Sequence, residues 1–166
     1  MQAYHLFEKW MSEARANLSN LELFDIYLPV VPIGKERARN HRTAIKTRTW
    51  TDYVGVCVAE EMRDKPTIDF PCAIRLITAI SGKRTPDTDN MEKAIWDALQ
   101  RGDREGKGRV YTDDKLIRGY VEKCERVVPK GEEFFWVRLY SRNLGDRLLW
   151  QYKKDELEAS ENECSY

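Results

Sequence analysis

An apolar run that leads into a pair of carboxylates constrains the fold of this chain more than any other feature. The run CAIRLITAI, Cys72–Ile80, is rich in apolar and β-branched residues and predicts a buried strand. Asp87 and Asp89 follow it, and apolar residues then recur at helical spacing as far as Gln100. We expect Asp89 to cap this helix, with Glu92 three residues on. The residues of its predicted buried side are Met91, Ala94, Ile95, Ala98 and Leu99.

Further helices and strands are predicted around this unit. Apolar spacing predicts helices over residues 3–18 and 50–62, the second of about three turns. Residues 24–32 predict a strand that runs into a turn, and residues 119–128 and 134–140 predict two more strands. Together these elements predict an α/β (mixed α+β) fold, with one small mixed β-sheet flanked by helices.

Composition limits the kinds of function that are open to the chain. Its 166 residues suffice for one domain with a core, and 28 basic and 28 acidic residues give no net charge. A site for a polyanion therefore has to be local. The four cysteines are scattered singly, which favours reduced thiols in a cytosol, and the apolar runs fall short of the roughly 18 residues of a membrane span. We expect a soluble cytoplasmic protein with no membrane partner.

One segment after the first predicted strand is densely basic. IGKERARNHRTAIKTR carries six cations beside a single glutamate. DNA binding requires lysine and arginine aimed at phosphates, although a solvated loop is the plainer interpretation of such a run. Arg84, just before the acidic pair, extends this candidate DNA-binding set. The other members of the set are Lys35, Arg37, Arg39, Arg42, Lys46 and Arg48.

The carboxylates before the helix have the spacing of a cation site. Asp87 and Asp89 are two residues apart, so in an extended backbone both side chains project to one side, where a hard ion such as Mg2+ would find oxygen ligands. Lys93 and Asp97 follow at four-residue steps on the solvent side of the helix. A lysine there is suited to neutralise a phosphate or to orient an attacking water. The plainer interpretations are a turn residue, a helix cap and a surface ion pair.

A second acidic pair, Asp113 and Asp114, comes after a glycine-rich charged loop at residues 101–109. Adjacent residues in a strand point to opposite faces, so only one of the two is expected to join the first pair. The other aspartate is expected to cap a turn, to hydrogen-bond to the backbone or to orient the metal ligands without binding the metal itself. The residues alone do not decide which aspartate has which role.

The residues PDTDNMEKAIWDAL, followed by YTDDKLI, resemble the RusA family of Holliday junction resolvases, common in phages and prophages. The resemblance joins the acidic pair, Asn90, the lysine at a fixed offset, the Asp-Ala-Leu of residues 97–99 and the double aspartate, all in the same order. It extends more loosely to LPVVPIGKERAR and to the helix start at TWTDY, and so covers roughly residues 24–140. The loop between Leu99 and Asp113 is several residues longer than the compact turn of the family.

The resemblance implies a metal-dependent endonuclease with an α/β fold, which acts as a homodimer on branched DNA, namely four-way junctions. Matched by position, Asp87, Asp89 and Asp114 are the catalytic carboxylates that hold the metal, Mg2+ or alternatively Mn2+, and Lys93 is the catalytic lysine. Such an enzyme resolves junctions by paired nicks in DNA recombination and repair, in the cytoplasm of a bacterium or of a phage-infected host. Three further residues are expected to lie next to these groups and to orient them without binding the metal: Asn90, Asp97 and Asp113.

The resemblance also divides the chain into three parts. Residues 1–22 are expected to be an amphipathic helical extension, and residues 23–144 a RusA-like endonuclease domain. Residues 145–166 are polar and acidic and are expected to be a frayed helix or a disordered tail.

Two other functions are compatible with the sequence. A non-catalytic module that binds branched DNA would keep the fold and use the basic segment, but it would leave the acidic residues without a use. A metal-dependent enzyme that acts on nucleotides would leave the basic segment unexplained.

Overall fold

The computed structural model describes residues 18–34, 41–82 and 87–163, with side chains for these residues except at 41–43 and 161–163. The strands in this part of the chain are β1 (Glu22–Leu28), β2 (Cys72–Ile80), β3 (Ile117–Val127) and β4 (Phe134–Ser141). The helices are α1 (His41–Glu61), α2 (Thr88–Arg101) and α3 (Leu144–Glu163). A short 3-10 turn, Asp114–Leu116, precedes β3.

The strands form one mixed sheet in the order β1-β4-β2-β3. Strand β4 pairs antiparallel with both β1 and β2, whereas β2 and β3 run parallel. Parallel neighbours need a crossover connection, and α2 supplies it. The predicted fold class is confirmed, since helices accompany a small mixed sheet in an α+β fold.

The core lies between one face of the sheet and the helices α1 and α2. In β4 the side chains of Phe135, Val137 and Leu139 are fully buried and alternate with partly exposed neighbours, as in a strand that is covered on one face. Helix α2 buries all five residues predicted for its apolar side, each at most 4% exposed. The opposite side of α2 therefore faces solvent.

Helix α1 is longer than the sequence predicted. It spans 21 residues from His41, whereas the apolar spacing indicated about three turns over residues 50–62. Its fully buried side chains, Val54 and Val58, lie in its C-terminal half. The N-terminal half carries exposed basic residues instead, so it has no apolar stripe from which its helical structure could be predicted.

The chain after β4 forms helix α3, which contacts the rest of the domain through Trp150. This side chain is 3% exposed, and its indole Nε1 donates a hydrogen bond to the carbonyl oxygen of Pro66 at 2.9 Å. The helix predicted over residues 3–18 lies outside the described residues except at its last position. The three-part division of the chain stays a prediction.

The two longest described helices, α1 and α3, have 21 and 20 residues. Within residues 18–34, 41–82 and 87–163, no helix is at once long enough and apolar enough to cross a membrane.

Candidate active site

Asp87 and Asp89 lie at the start of helix α2, and both side chains are exposed. Asp87 is the N-cap residue, with φ −55° and ψ 128°, and its carboxylate accepts a hydrogen bond from the backbone N–H of Asp89 at 3.4 Å. The prediction that Asp89 caps the helix was therefore wrong by two residues, because helical backbone already begins at Thr88. The two aspartates do not share an extended backbone either, since Asp89 belongs to the first helical turn.

Lys93 and Asp97 follow Asp89 along α2 at four-residue steps, and both are exposed. Residues at this spacing lie on one side of a helix, here the side opposite the buried stripe. Asn90 is half-buried, and its backbone N–H donates to the carbonyl oxygen of Asp87 at 2.9 Å. The solvent side of α2 thus carries a cation between two carboxylates.

The second acidic pair occupies a turn and not a strand, which corrects the expectation that its side chains point to opposite faces. Asp113 caps the 3-10 turn, and its carboxylate accepts a hydrogen bond from the backbone N–H of Lys115 at 2.9 Å. This bond is the main cause that lowers the pKa of Asp113. Asp114 is the first residue of the turn and is exposed. Asp113 is thus engaged locally, and Asp114 is the more accessible carboxylate.

Asp114 lies beside the C-terminal half of α2. Burial raises the pKa of Tyr111 well above its usual value, and the negative charges of Asp114 and Asp97 raise it further. The hydroxyl of Tyr111 donates to the carbonyl oxygen of Trp96 at 3.0 Å, which places this ring against α2. Asp97 and Asp114 therefore both lie near Tyr111, beside the C-terminal half of α2.

The two acidic pairs consequently lie at different parts of α2. Asp87 and Asp89 lie where β2 has ended, whereas Asp114 precedes β3, whose first residues pair with the beginning of β2. Among the described residues, no group of three histidine, cysteine, aspartate or glutamate side chains is arranged to hold a metal ion. Asp87, Asp89 and Asp114 do not form a three-carboxylate site within one chain.

The first pair by itself has the chemistry of a magnesium site. Mg2+ is usually held by one or two carboxylates, and waters and substrate phosphate oxygens complete its octahedron. Asp87 and Asp89 offer exposed carboxylate oxygens on neighbouring parts of the backbone. The pair fits the ion in type and number of ligands.

A buried network beside Asp89 was not predicted. Glu92 is 7% exposed, forms an ion pair with Lys123 and accepts a hydrogen bond from the hydroxyl of Tyr120 at 2.8 Å. Burial, the bond to Glu92 and the charges of Glu92 and Asp89 raise the pKa of Tyr120 to about 12. The bond to Glu92 also raises the pKa of Lys123, with the charge of Asp89 contributing. The network therefore holds a second ammonium group near Asp89. The one sign of this network in the sequence is that a charged residue, Glu92, stands three residues before Ile95, which was predicted to be buried.

The predicted DNA-binding residues are described only in part. Lys46 and Arg48 are exposed on the N-terminal half of α1. Arg42 belongs to the same helix, but its side chain is not among those described. The remaining members of the set lie outside the described residues: Lys35, Arg37, Arg39 and Arg84.

The fold and the acidic site together define a class, an α+β domain with exposed carboxylates and a lysine on the helix that follows a central strand. The family model described as Endodeoxyribonuclease RusA matches residues 29–132, more than half of the 166-residue chain. The chain belongs to the RusA endodeoxyribonuclease family, as the motif predicted. The match runs from α1 through β3 and includes both acidic pairs. No curated protein matches the chain.

Proposed function

We propose that the protein is a Mg2+-dependent endodeoxyribonuclease that resolves four-way DNA junctions by paired symmetric nicks during recombination and repair, in the cytoplasm of a bacterial or phage-infected cell. One observation carries the proposal. In a chain of the RusA endodeoxyribonuclease family, Asp87, Asp89 and Lys93 are all exposed within the first turns of one helix. Carboxylates and a lysine in this arrangement serve the hydrolysis of phosphate esters.

Asp87 and Asp89 are the proposed metal ligands, for Mg2+ or alternatively Mn2+. When bound there, the ion supplies charge stabilisation at the scissile phosphate and lowers the pKa of a bound water. Asp114 is the third proposed metal carboxylate on the strength of the family motif. Within one chain Asp114 lies beside the C-terminal half of α2, apart from the first pair.

The other proposed site residues act by position and charge. Lys93, one turn beyond Asp89, holds the attacking water or neutralises charge on the phosphate. Asp113 fixes the 3-10 turn that carries Asp114. Asn90 and Asp97 support the carboxylates from the side of α2.

The DNA backbone is proposed to lie along α1, where Lys46 and Arg48 are exposed. The basic residues between β1 and α1, together with Arg84, extend this surface in the proposal. A four-way junction has approximate two-fold symmetry, and paired nicks require two active sites. A homodimer with a two-fold axis provides both.

A cleavage assay tests the proposal. The full chain is incubated with a synthetic immobile four-way junction or with a linear duplex of matched sequence, in Mg2+ or in EDTA, and the cut positions are mapped on each strand. We expect symmetric nicks in two strands of the junction only, and none in EDTA. Junction binding without cleavage would favour the non-catalytic module, and turnover of free nucleotides but not junctions would favour the nucleotide enzyme.

A further inference from the structure

Residues 101–109, which are the last residue of α2 and the loop that follows it, pack against helix α1 so closely that two positions leave no space for a side chain. A Cβ atom added at Gly55 of α1 would lie 2.2 Å from the carbonyl oxygen of Gly102. One added at Gly108 would lie 2.3 Å from the Cα atom of Ala59, one turn further along α1. Backbone thus meets backbone at both ends of this loop, which we call the arginine loop. Its position on α1 is fixed by these contacts.

The arginine loop is also braced internally. The carboxylate of Asp103 accepts hydrogen bonds from the backbone N–H groups of Glu105 at 2.9 Å and Lys107 at 2.8 Å. The backbone N–H of Asp103 donates to the carbonyl oxygen of Lys107 at 2.9 Å. These bonds satisfy backbone groups that a mobile loop would leave to water. The arginine loop is therefore an ordered part of the fold.

A nearly buried carboxylate on α1 holds two arginines of the arginine loop. The side chain of Asp52 is 9% exposed, and its Oδ2 accepts a hydrogen bond from Nε of Arg104 at 3.1 Å and lies 3.0 Å from Nη2 of the same side chain. Its Oδ1 lies 3.1 Å from Nη2 of Arg101. The arginine side chains themselves are 74% exposed for Arg104 and 41% exposed for Arg101. One carboxylate faces two guanidinium groups, so a positive charge is left over at the surface.

We propose that the arginine loop is a DNA phosphate-binding element and that Asp52 is the positioning residue that aims Arg101 and Arg104 at the DNA backbone. This inference rests on the proposed function. A guanidinium group has five N–H donors, and the contacts to Asp52 occupy only one edge of Arg104. The N–H groups on the remaining edges are free to bind a phosphate in the bidentate geometry that arginine favours.

The position of the arginine loop favours DNA as its ligand. Arg48 precedes Asp52 by one helical turn and is exposed, so the surplus charge of the arginine loop continues the basic surface of α1. If the contacts of Asp52 served only to join α1 to α2, one arginine would be enough, and its charge would be balanced by the carboxylate. Here a second arginine is added, and Nε and Nη2 of Arg104, the more exposed of the two, both contact the same oxygen of Asp52.

The test measures binding of the full chain to a labelled four-way junction in EDTA, by fluorescence anisotropy over a range of salt concentrations. We expect Arg104→Gln to weaken binding about fivefold and to reduce the slope of log affinity against log salt by about 0.9, the loss of one phosphate contact. The matched control is Arg75→Gln. Arg75 is also paired with a carboxylate, Glu122 at 2.6 Å, but it lies on the opposite face of the sheet, and we expect no change there.

Asp52→Asn separates positioning from net charge. The substitution makes the protein more positive, so a purely electrostatic effect would tighten DNA binding, whereas loss of positioning weakens it about threefold. A purely structural clamp would lower the melting temperature and leave DNA affinity unchanged. If Asp52→Asn does not fold, Arg101→Gln removes one partner of the same carboxylate and carries the same expectation of weaker binding.

The outcomes distinguish this inference from the proposed function. A wild-type protein that prefers the junction, with Arg104→Gln of wild-type affinity and salt slope, overturns the inference alone. Unchanged or tighter binding by Asp52→Asn overturns the positioning role of that residue. A wild-type protein that neither prefers nor cuts the junction overturns the proposed function as well.

Discussion

Replacing Trp150 by alanine tests whether helix α3 is part of the folded domain. The indole is 3% exposed and donates one hydrogen bond to Pro66. A buried aromatic ring of about 200 Å2, at about 25 cal/mol per Å2, contributes about 5 kcal/mol to the free energy of unfolding, and measured losses for such truncations are about 3–5 kcal/mol. We therefore expect Trp150→Ala to lose about 4 kcal/mol. With a urea m value of about 2 kcal/mol per M, the unfolding midpoint falls by about 2 M.

Urea titration followed by circular dichroism measures this loss, with Trp150→Phe as the matched control. Phenylalanine keeps most of the apolar contact and removes the N–H donor, so we expect a loss of about 1–2 kcal/mol. A loss below about 1 kcal/mol for Trp150→Ala would refute the packing described for α3, because truncating a buried tryptophan to alanine lowers the free energy of unfolding by about 3–5 kcal/mol.

Two further predictions follow from close contacts and burial. Gly55→Ala places a Cβ atom 2.2 Å from the carbonyl oxygen of Gly102, so we expect a loss of about 1–3 kcal/mol in urea titration. At Gly145 of α3 an added Cβ would lie 3.4 Å from Oδ1 of Asn143, an ordinary contact, so Gly145→Ala is the matched control and is expected to cause no loss. Burial raises the pKa of the Cys72 thiol from 9.0 to about 12, so at pH 8 it should react with a thiol reagent about 1000-fold more slowly than an unshifted thiol, as mass spectrometry of labelled peptides will show. Below pH 9 this thiol keeps its proton in both states, and its contribution to stability is lost as pH rises from there towards 12, because only the unfolded chain then ionises. Labelling of Cys72 as fast as the half-buried thiols of Cys57 and Cys124, or tolerance of Gly55→Ala, would contradict these contacts.

The sequence predicted the fold well where burial is regular. Strand β2 has the predicted bounds, Cys72–Ile80, and the apolar stripe of α2 is buried in full, because both elements are packed along their whole length and burial repeats with the period of the backbone. The strands predicted near residues 119–128 and 134–140 are found as β3 and β4. The family was predicted from a resemblance of the acidic motif and its neighbouring residues, and the family match confirms it.

What the sequence did not predict depends on contacts distant along the chain or on one backbone angle. The N-terminal half of α1 is helical without a buried stripe. The choice of Asp87 over Asp89 as N-cap depends on where the helical backbone begins. The pairing of Glu92 with Lys123 and Tyr120 depends on the register of β3 beneath α2, which no local pattern encodes.

The separation of Asp114 from the first acidic pair has the same origin. Order along the sequence suggested one cluster, but α2 crosses from the end of β2 back to its beginning, and the two acidic pairs therefore flank opposite parts of this helix. A sequence motif shows which residues are present, whereas the distances between them depend on the topology of the fold.

The most direct test of the central claim compares Asp89→Asn with Asp155→Asn, the same loss of charge at an exposed position on α3. Each variant is assayed for junction cleavage in Mg2+ and for junction binding in EDTA. The account predicts that Asp89→Asn loses cleavage by more than about 100-fold and binds the junction at least as tightly as wild type, because a negative charge near DNA has been removed, while Asp155→Asn cuts normally. Undiminished cleavage by Asp89→Asn, or loss of its fold and its binding together, would show that this carboxylate has no part in catalysis.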